Sequence, residues 1–162
     1  RVLFRSDHGE MLGDHGLMAK MNFYRSSVRV PLIVRPPSGT TGRVETAPVQ
    51  AFDVAATLLD AGSAAPLDGA PSRSLVPLVT GDGATTRKHV ASMIRMRPGL
   101  PTWQAITDGH WRATINVDTG EASELFDLDT DPGEANNLVG DAASSEALDR
   151  LTTALAATVG AA

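Results

Sequence analysis

The densest run of chemically capable side chains in the sequence is Ser6-Asp7-His8-Gly9-Glu10-Met11-Leu12-Gly13-Asp14-His15-Gly16-Leu17-Met18-Ala19-Lys20. Asp7 offers a hard carboxylate and His8 an imidazole, two donors that together suit a divalent cation. Two ligands are an incomplete set, so the pair either awaits further donors or serves only as a polar turn. The glycines around it let backbone approach a ligand closely. Lys20 is one of two lysines in a chain that otherwise uses arginine for positive charge. Set between Met18-Ala19 and Met21, its ammonium fits two readings. It is either a fixed charge in an anion pocket or a surface lysine whose stem lies along its apolar neighbours.

These residues need elements to hold them. Arg1 to Phe4 reads as a strand feeding the polar loop, and open α/β folds place ligands where strands end in loops. Val28 to Val34, apolar on both faces, suggests a strand of a buried parallel sheet, with Pro31 favouring a strand start. Pro36 to Gly42 reads as loop. Phe52, Val54, Ala55, Leu58 and Leu59 recur at helical spacing up to Gly62, a suitable stop. Residues 62–74 read as loop, and Gly81-Asp82-Gly83 marks the expected boundary between two units. Beyond it, Val90 to Ile94, Trp103 to Thr107, Trp111 to Asn116 and Glu124 to Leu128 are short strand candidates. Asp108-Gly109 and Asp118-Thr119-Gly120 supply turns between them. Leu148, Leu151, Leu155 and Val159 form one face of a final helix, with Ser144 or Ser145 as N-cap.

The 162 residues suffice for one or two small domains, and the net charge of −5 without basic runs argues against nucleic acid or an anionic membrane as partner. No apolar run is long enough to span a bilayer. The absence of cysteine removes disulfides, zinc-thiolate sites and a cysteine nucleophile from this chain, and leaves the compartment open. Asp127 to Asp131 begins like a calcium loop, but Pro132 and Leu138 stand where Gly and Glu are required, so it reads as a turn. His89, His110, Trp103 and Trp111 read as structural or solvated.

The segment Val2 to Leu17, with Lys20 and Arg29-Val30-Pro31-Leu32-Ile33-Val34, closely resembles the formylglycine-dependent sulfatases of the alkaline phosphatase superfamily. Within them it is most similar to the branch of choline sulfatases, iduronate-type sulfatases and phosphonate monoester hydrolases. Asp53 to Asp60, Ser74 to Leu78, and Glu124-Leu125-Phe126-Asp127-Leu128 with Asp131-Pro132-Gly133-Glu134 and Asn137-Leu138 agree with later family segments in the same order. The resemblance implies that Asp7 and His8 ligate one divalent metal, calcium or manganese. It implies that Lys20 contacts the charged oxygens of the sulfate as catalytic and substrate-binding residue, and that His15 either lines the substrate pocket or supports a residue that does. The chemistry implied is attack by a hydrated formylglycine on sulfur. The substrate implied is a small sulfate or phosphonate ester, with no nucleic-acid or membrane partner and homo-oligomerisation left open.

The family's Cys- or Ser-x-Pro-x-Arg motif, its paired acidic ligands and its mid-chain histidine and lysine are not in this sequence. Arg5 and Arg25 also depart from the family's usual residues. The expectation is therefore a C-terminal part of a longer enzyme that is inactive by itself. Residues 1–84 would be the end of the catalytic α/β domain, part of a mixed sheet sandwich with helices. Residues 85–162 would be a small antiparallel sheet packed by one terminal helix. A phosphonate monoester or phosphodiester hydrolase is the alternative within the superfamily; a non-catalytic remnant of the fold is the alternative outside enzymology.

Overall fold

Proline ends and turn chemistry decide where the strands of this chain begin and stop. The computed structural model describes residues 2–37, 39, 42–81, 83, 87–95 and 97–159. The expected strand start at Arg1, the loop residues Ser38, Thr40 and Thr41, and the expected boundary at Asp82, Ala84 and Thr85 lie outside the described residues. The chain forms two compact units: residues 1–7 with 31–88, and residues 8–30 with 89–161.

In the first unit, β1 (Val2–Arg5) pairs antiparallel with β2 (Leu32–Arg35), Phe4 opposite Ile33. This corrects the expectation of a buried parallel strand over Val28 to Val34. Pro31 lacks the N–H that a ladder needs, so pairing begins one residue later. Val28 instead closes a short helix, α1 (Arg25–Val28). A continuous apolar run does not itself distinguish these outcomes. Phe4 and Ile33 are both exposed, and β2 is half-buried on alternate residues only.

Helix α2 (Ala51–Ala61) starts with a capping box in which the Gln50 N–H donates to Asp53 Oδ2 at 2.8 Å, and it ends at Gly62. Asp53 is fully buried. Its carboxylate accepts from the Arg87 guanidinium through both oxygens and from the Arg73 N–H at 2.8 Å. Thr57 Oγ1 accepts the Leu75 N–H at 2.9 Å, which fixes the approach to α3 (Val76–Thr80), where Leu75 and Leu78 are buried. The buried face of α2 therefore carries Asp53 and Thr57, while Phe52 and Leu58 are exposed.

The second unit is built on a four-stranded antiparallel meander, β3 (Val90–Ile94), β4 (Trp103–Thr107), β5 (Trp111–Asn116) and β6 (Ala122–Asp127). Three of these match their expected bounds. The Asp108-Gly109 turn closes β4 to β5: Asp108 Oδ1 accepts the His110 and Trp111 N–H groups, and Gly109 adopts φ 96°. β6 begins at Ala122 rather than Glu124, and its register shifts between Thr114 and Ile115, which obscures the period-two pattern there.

One face of the sheet, with Ile106, Ala113, Ile115 and Leu125, packs on Leu151 and Leu155 of α4 (Ser145–Val159). Burying each such leucine contributes roughly 1.5–3 kcal/mol. Neither expected serine caps α4. Asp141 caps a 3-10 turn over Ala142–Ser144, accepting the Ala143 N–H at 3.0 Å, and that turn runs directly into α4. Alternation puts Arg112, Thr114, Glu124 and Phe126 on the opposite face of the sheet. Among the described residues no helix is long and apolar enough to cross a membrane.

Candidate functional site

Asp7 ends the N-terminal segment of the first unit and His8 opens the second, so chain continuity alone makes them neighbours. Asp7 is exposed, and its Oδ1 accepts from Ser6 Oγ at 3.5 Å. His8 is half-buried, with Nδ1 2.6 Å from the Gly9 carbonyl oxygen. A carbonyl only accepts, so Nδ1 carries the proton. Nε2 lies 2.5 Å from Lys20 Nζ. An ammonium only donates, so Nε2 holds a lone pair toward Lys20. The tautomer follows from these two partners, and it leaves Nε2 in the form that binds metals.

The loop that brings Lys20 back to His8 is closed by its own backbone. The Met11 N–H donates to the Ala19 carbonyl at 2.9 Å and the Gly13 N–H to the Leu17 carbonyl at 2.9 Å, around a 3-10 turn over Asp14–Gly16. Met11 is buried beneath it, while Leu12, Met18 and Met21 are exposed. Leu12, His15 and Ala19 hold left-handed φ values of 49°, 51° and 66°. Each costs about 1 kcal/mol relative to ordinary backbone, so surrounding contacts must hold the loop in place. One is the approach of Gly9 to α1. The Gly9 N–H donates to the Ser27 carbonyl at 2.7 Å, and a Cβ on residue 9 would sit 1.9 Å from the Ser26 carbonyl oxygen. Another is Ser27, whose buried hydroxyl donates to the Lys20 carbonyl at 2.6 Å. Ser26 Oγ donates to Asp14 across the same loop.

His15 is exposed and its ring stacks on Tyr24, centroids 3.9 Å apart and planes 14° from parallel. Tyr24 leads to residues to which the sequence reading gave no role at the site. The Arg112 guanidinium lies over the Tyr24 ring at 5.5 Å and the Phe126 ring at 4.7 Å. Its Nε donates to Glu134 Oε1 at 2.5 Å and its Nη1 to Glu124 Oε2 at 2.9 Å. Glu134 Oε2 accepts the Arg25 backbone N–H at 2.7 Å. Burial and the Glu124 carboxylate raise the Tyr24 pKa above the usual phenol value, with Arg112 pulling the other way. The available signal was a lone arginine inside the β5 run Trp111 to Asn116, since a charge placed among apolar neighbours needs a partner.

Arg25, a departure from the sulfatase pattern, turns its Nη1 to the Pro132 carbonyl at 3.4 Å, a packing role. Among the described residues no three His, Cys, Asp or Glu side chains gather as a metal cage. Asp7 and His8 thus offer donor types that suit a divalent ion as two members of a larger ligand set, with Lys20 Nζ standing on the His8 lone pair in this structure. Separately, Met21, Phe23, Leu100 and Trp103 line an open groove of about 470 Å³ on the sheet face that bears Thr114 and Glu124.

Known proteins share this architecture. A solved 2-O GAG sulfatase superposes with a TM-score of 0.87 at 23% identity, covering 98% of this chain and 36% of that one. The phosphonate monoester hydrolase of Silicibacter pomeroyi gives 0.84 at 28% identity, covering 96% and 34%. The fold is therefore that of the alkaline-phosphatase-like sulfatases. Residues 13–160 match the family model of the N-sulphoglucosamine sulphohydrolase C-terminal region, and the chain belongs to that family. The choline-sulfatase of Rhizobium meliloti (strain 1021) is 36% identical over 140 residues, which are 85% of this chain and 26% of that protein. The chain thus spans about a quarter to a third of the relatives it matches.

Proposed function

We propose that the chain is the C-terminal part of a metal-dependent sulfuric ester hydrolase. In chain order, residues 1–84 would be the end of its catalytic α/β domain and residues 85–162 its C-terminal subdomain. Residues 8–30 would serve the catalytic portion, although they pack with the second unit. The observation that carries the reading is the meeting of Lys20 Nζ with the lone-pair nitrogen of His8 at 2.5 Å, across twelve residues of strained loop. It puts a fixed cation beside an imidazole suited to a metal, the pairing that an oxyanion substrate requires.

In the complete enzyme, Asp7 and His8 would hold a divalent ion, calcium or manganese, together with acidic ligands from the part of the enzyme outside this chain. That ion, when bound, polarises the sulfate oxygens. Lys20 would bind and orient the charged oxygens and stabilise the charge that grows on them at the transition state. His15, held by Tyr24, would line the pocket. The formylglycine nucleophile would lie upstream, and the 162 residues alone would bind metal weakly and hydrolyse nothing.

The test is Lys20→Ala in the complete enzyme, expected to lower kcat by about 10²–10³ with the fold intact. Unchanged turnover would overturn the role given to Lys20, whereas a complete wild-type protein that turns over no ester would return the chain to the reading of a non-catalytic remnant. The likeness to a phosphonate monoester hydrolase at 28% identity favours a second substrate class. Rates on an aryl sulfate and an aryl phosphonate monoester separate the two.

A further inference from the structure

We infer that Glu134 is a positioning residue for the proposed site, acting from the C-terminal turn through the Arg25 backbone and the Arg112–Tyr24 stack. This rests on the sulfatase reading of the 8–20 loop. Glu134 is 2% exposed, and its two carboxylate oxygens serve different elements. Oε2 takes the Arg25 N–H, the first residue of α1, at 2.7 Å, and Oε1 takes Arg112 Nε of β5 at 2.5 Å. Its backbone holds φ 55°, just past Pro132-Gly133, which turns the side chain inward instead of to solvent.

The route to the loop is short. α1 follows Tyr24 directly, and its residues Ser26 and Ser27 carry the bonds that close the loop: to Asp14, to the Lys20 carbonyl and to the Gly9 N–H. Tyr24, in contact with both the Arg112 guanidinium and the His15 ring, sets where His15 stands. A single carboxylate therefore anchors both the backbone behind Lys20 and the aromatic support of His15. A neutral amide at residue 134 has one acceptor for these two donors, and its NH₂ faces one of them. Glu134→Gln thus removes a charge-assisted bond with little change in shape.

Two measurements test this. The first is amide hydrogen exchange on the 162-residue chain. In Glu134→Gln the amides of Gly9, Met11 and Arg25 should exchange about tenfold faster, while those of β4 and β5 stay within about twofold. No change at Arg25, or equal acceleration throughout β4 and β5, would overturn the inference. The second is turnover by the complete enzyme. Glu134→Gln should lower kcat about tenfold with KM within about twofold, and Glu134→Asp should recover part of it. A variant with wild-type kcat overturns the link to the reaction. If the wild-type enzyme hydrolyses neither sulfate nor phosphonate esters, the sulfatase reading fails instead, and the exchange data still decide whether Glu134 anchors the loop.

Discussion

Lys20 Nζ and His8 Nε2 stand 2.5 Å apart, with the His8 proton held on Nδ1 by the Gly9 carbonyl. The ammonium thus occupies the lone pair that a metal would use. An ammonium and a divalent ion repel by about 2 kcal/mol at 4 Å in water, a factor of about thirty in affinity. Lys20→Met in the 162-residue chain should therefore bind Mn²⁺ about thirtyfold more tightly than wild type. His8→Ala should abolish that binding. Mn²⁺-induced enhancement of water-proton relaxation reports both; equal affinity in Lys20→Met would separate Lys20 from the metal.

Gly9 tests the close approach that shapes the loop. A methyl group at residue 9 would stand 1.9 Å from the Ser26 carbonyl oxygen, inside van der Waals contact, and that neighbour is backbone. Either the 9–27 pairing opens or α1 moves. Gly9→Ala should lower stability by roughly 1–3 kcal/mol, read as a shift of the denaturation midpoint. Gly13→Ala, with nothing within 4 Å of its Cβ, pays only for its φ of 98° and is the control.

Asp53 tests the first unit. Its carboxylate caps α2, accepts the Arg73 N–H and pairs with Arg87, whose side chain is 8% exposed against 0% for Asp53. Removing one partner of such a pair strands the other as a buried charge. Asp53→Ala should cost roughly 3–5 kcal/mol, measured by urea unfolding. A loss below about 1 kcal/mol would mean that Arg87 finds water instead.

How far these features could be read beforehand depended on whether they are local. The bounds of β3, β4 and β5 follow from apolar runs punctuated by Asp108-Gly109, and the end of α2 follows from Gly62, because turn chemistry acts over a few residues. The helix at Arg25–Val28 and the antiparallel partner of β1 were hidden, since Val28 to Val34 suits a strand, a helix end or both. Asp7, His8, His15 and Lys20 were visible as a motif. The return of Lys20 to His8 was not, because it depends on left-handed Leu12, His15 and Ala19, residue types that local rules do not assign to such turns. Glu134 was legible only as the last residue of the family-like segment Asp131-Pro132-Gly133-Glu134; its partners Arg25 and Arg112 are 109 and 22 residues away, beyond any spacing argument.

His110 gives a pH dependence whose sign is fixed by one neighbour. It sits exposed at the β4–β5 turn with Nδ1 2.9 Å from Asp129 Oδ2. The hydrogen bond and then the charge of Asp129 raise its pKa above the ordinary histidine value of 6.5. A group raised on folding binds its proton more tightly in the native state. Its contribution is therefore fully present below pH 6.5 and disappears as pH rises through the higher native value. The ring signals of His110 should titrate above 6.5 in the wild-type chain and return toward it in Asp129→Asn. Because the pair is solvent-exposed, added salt should shrink the shift. A wild-type midpoint at or below 6.5 would show that Asp129 does not hold the imidazolium in solution.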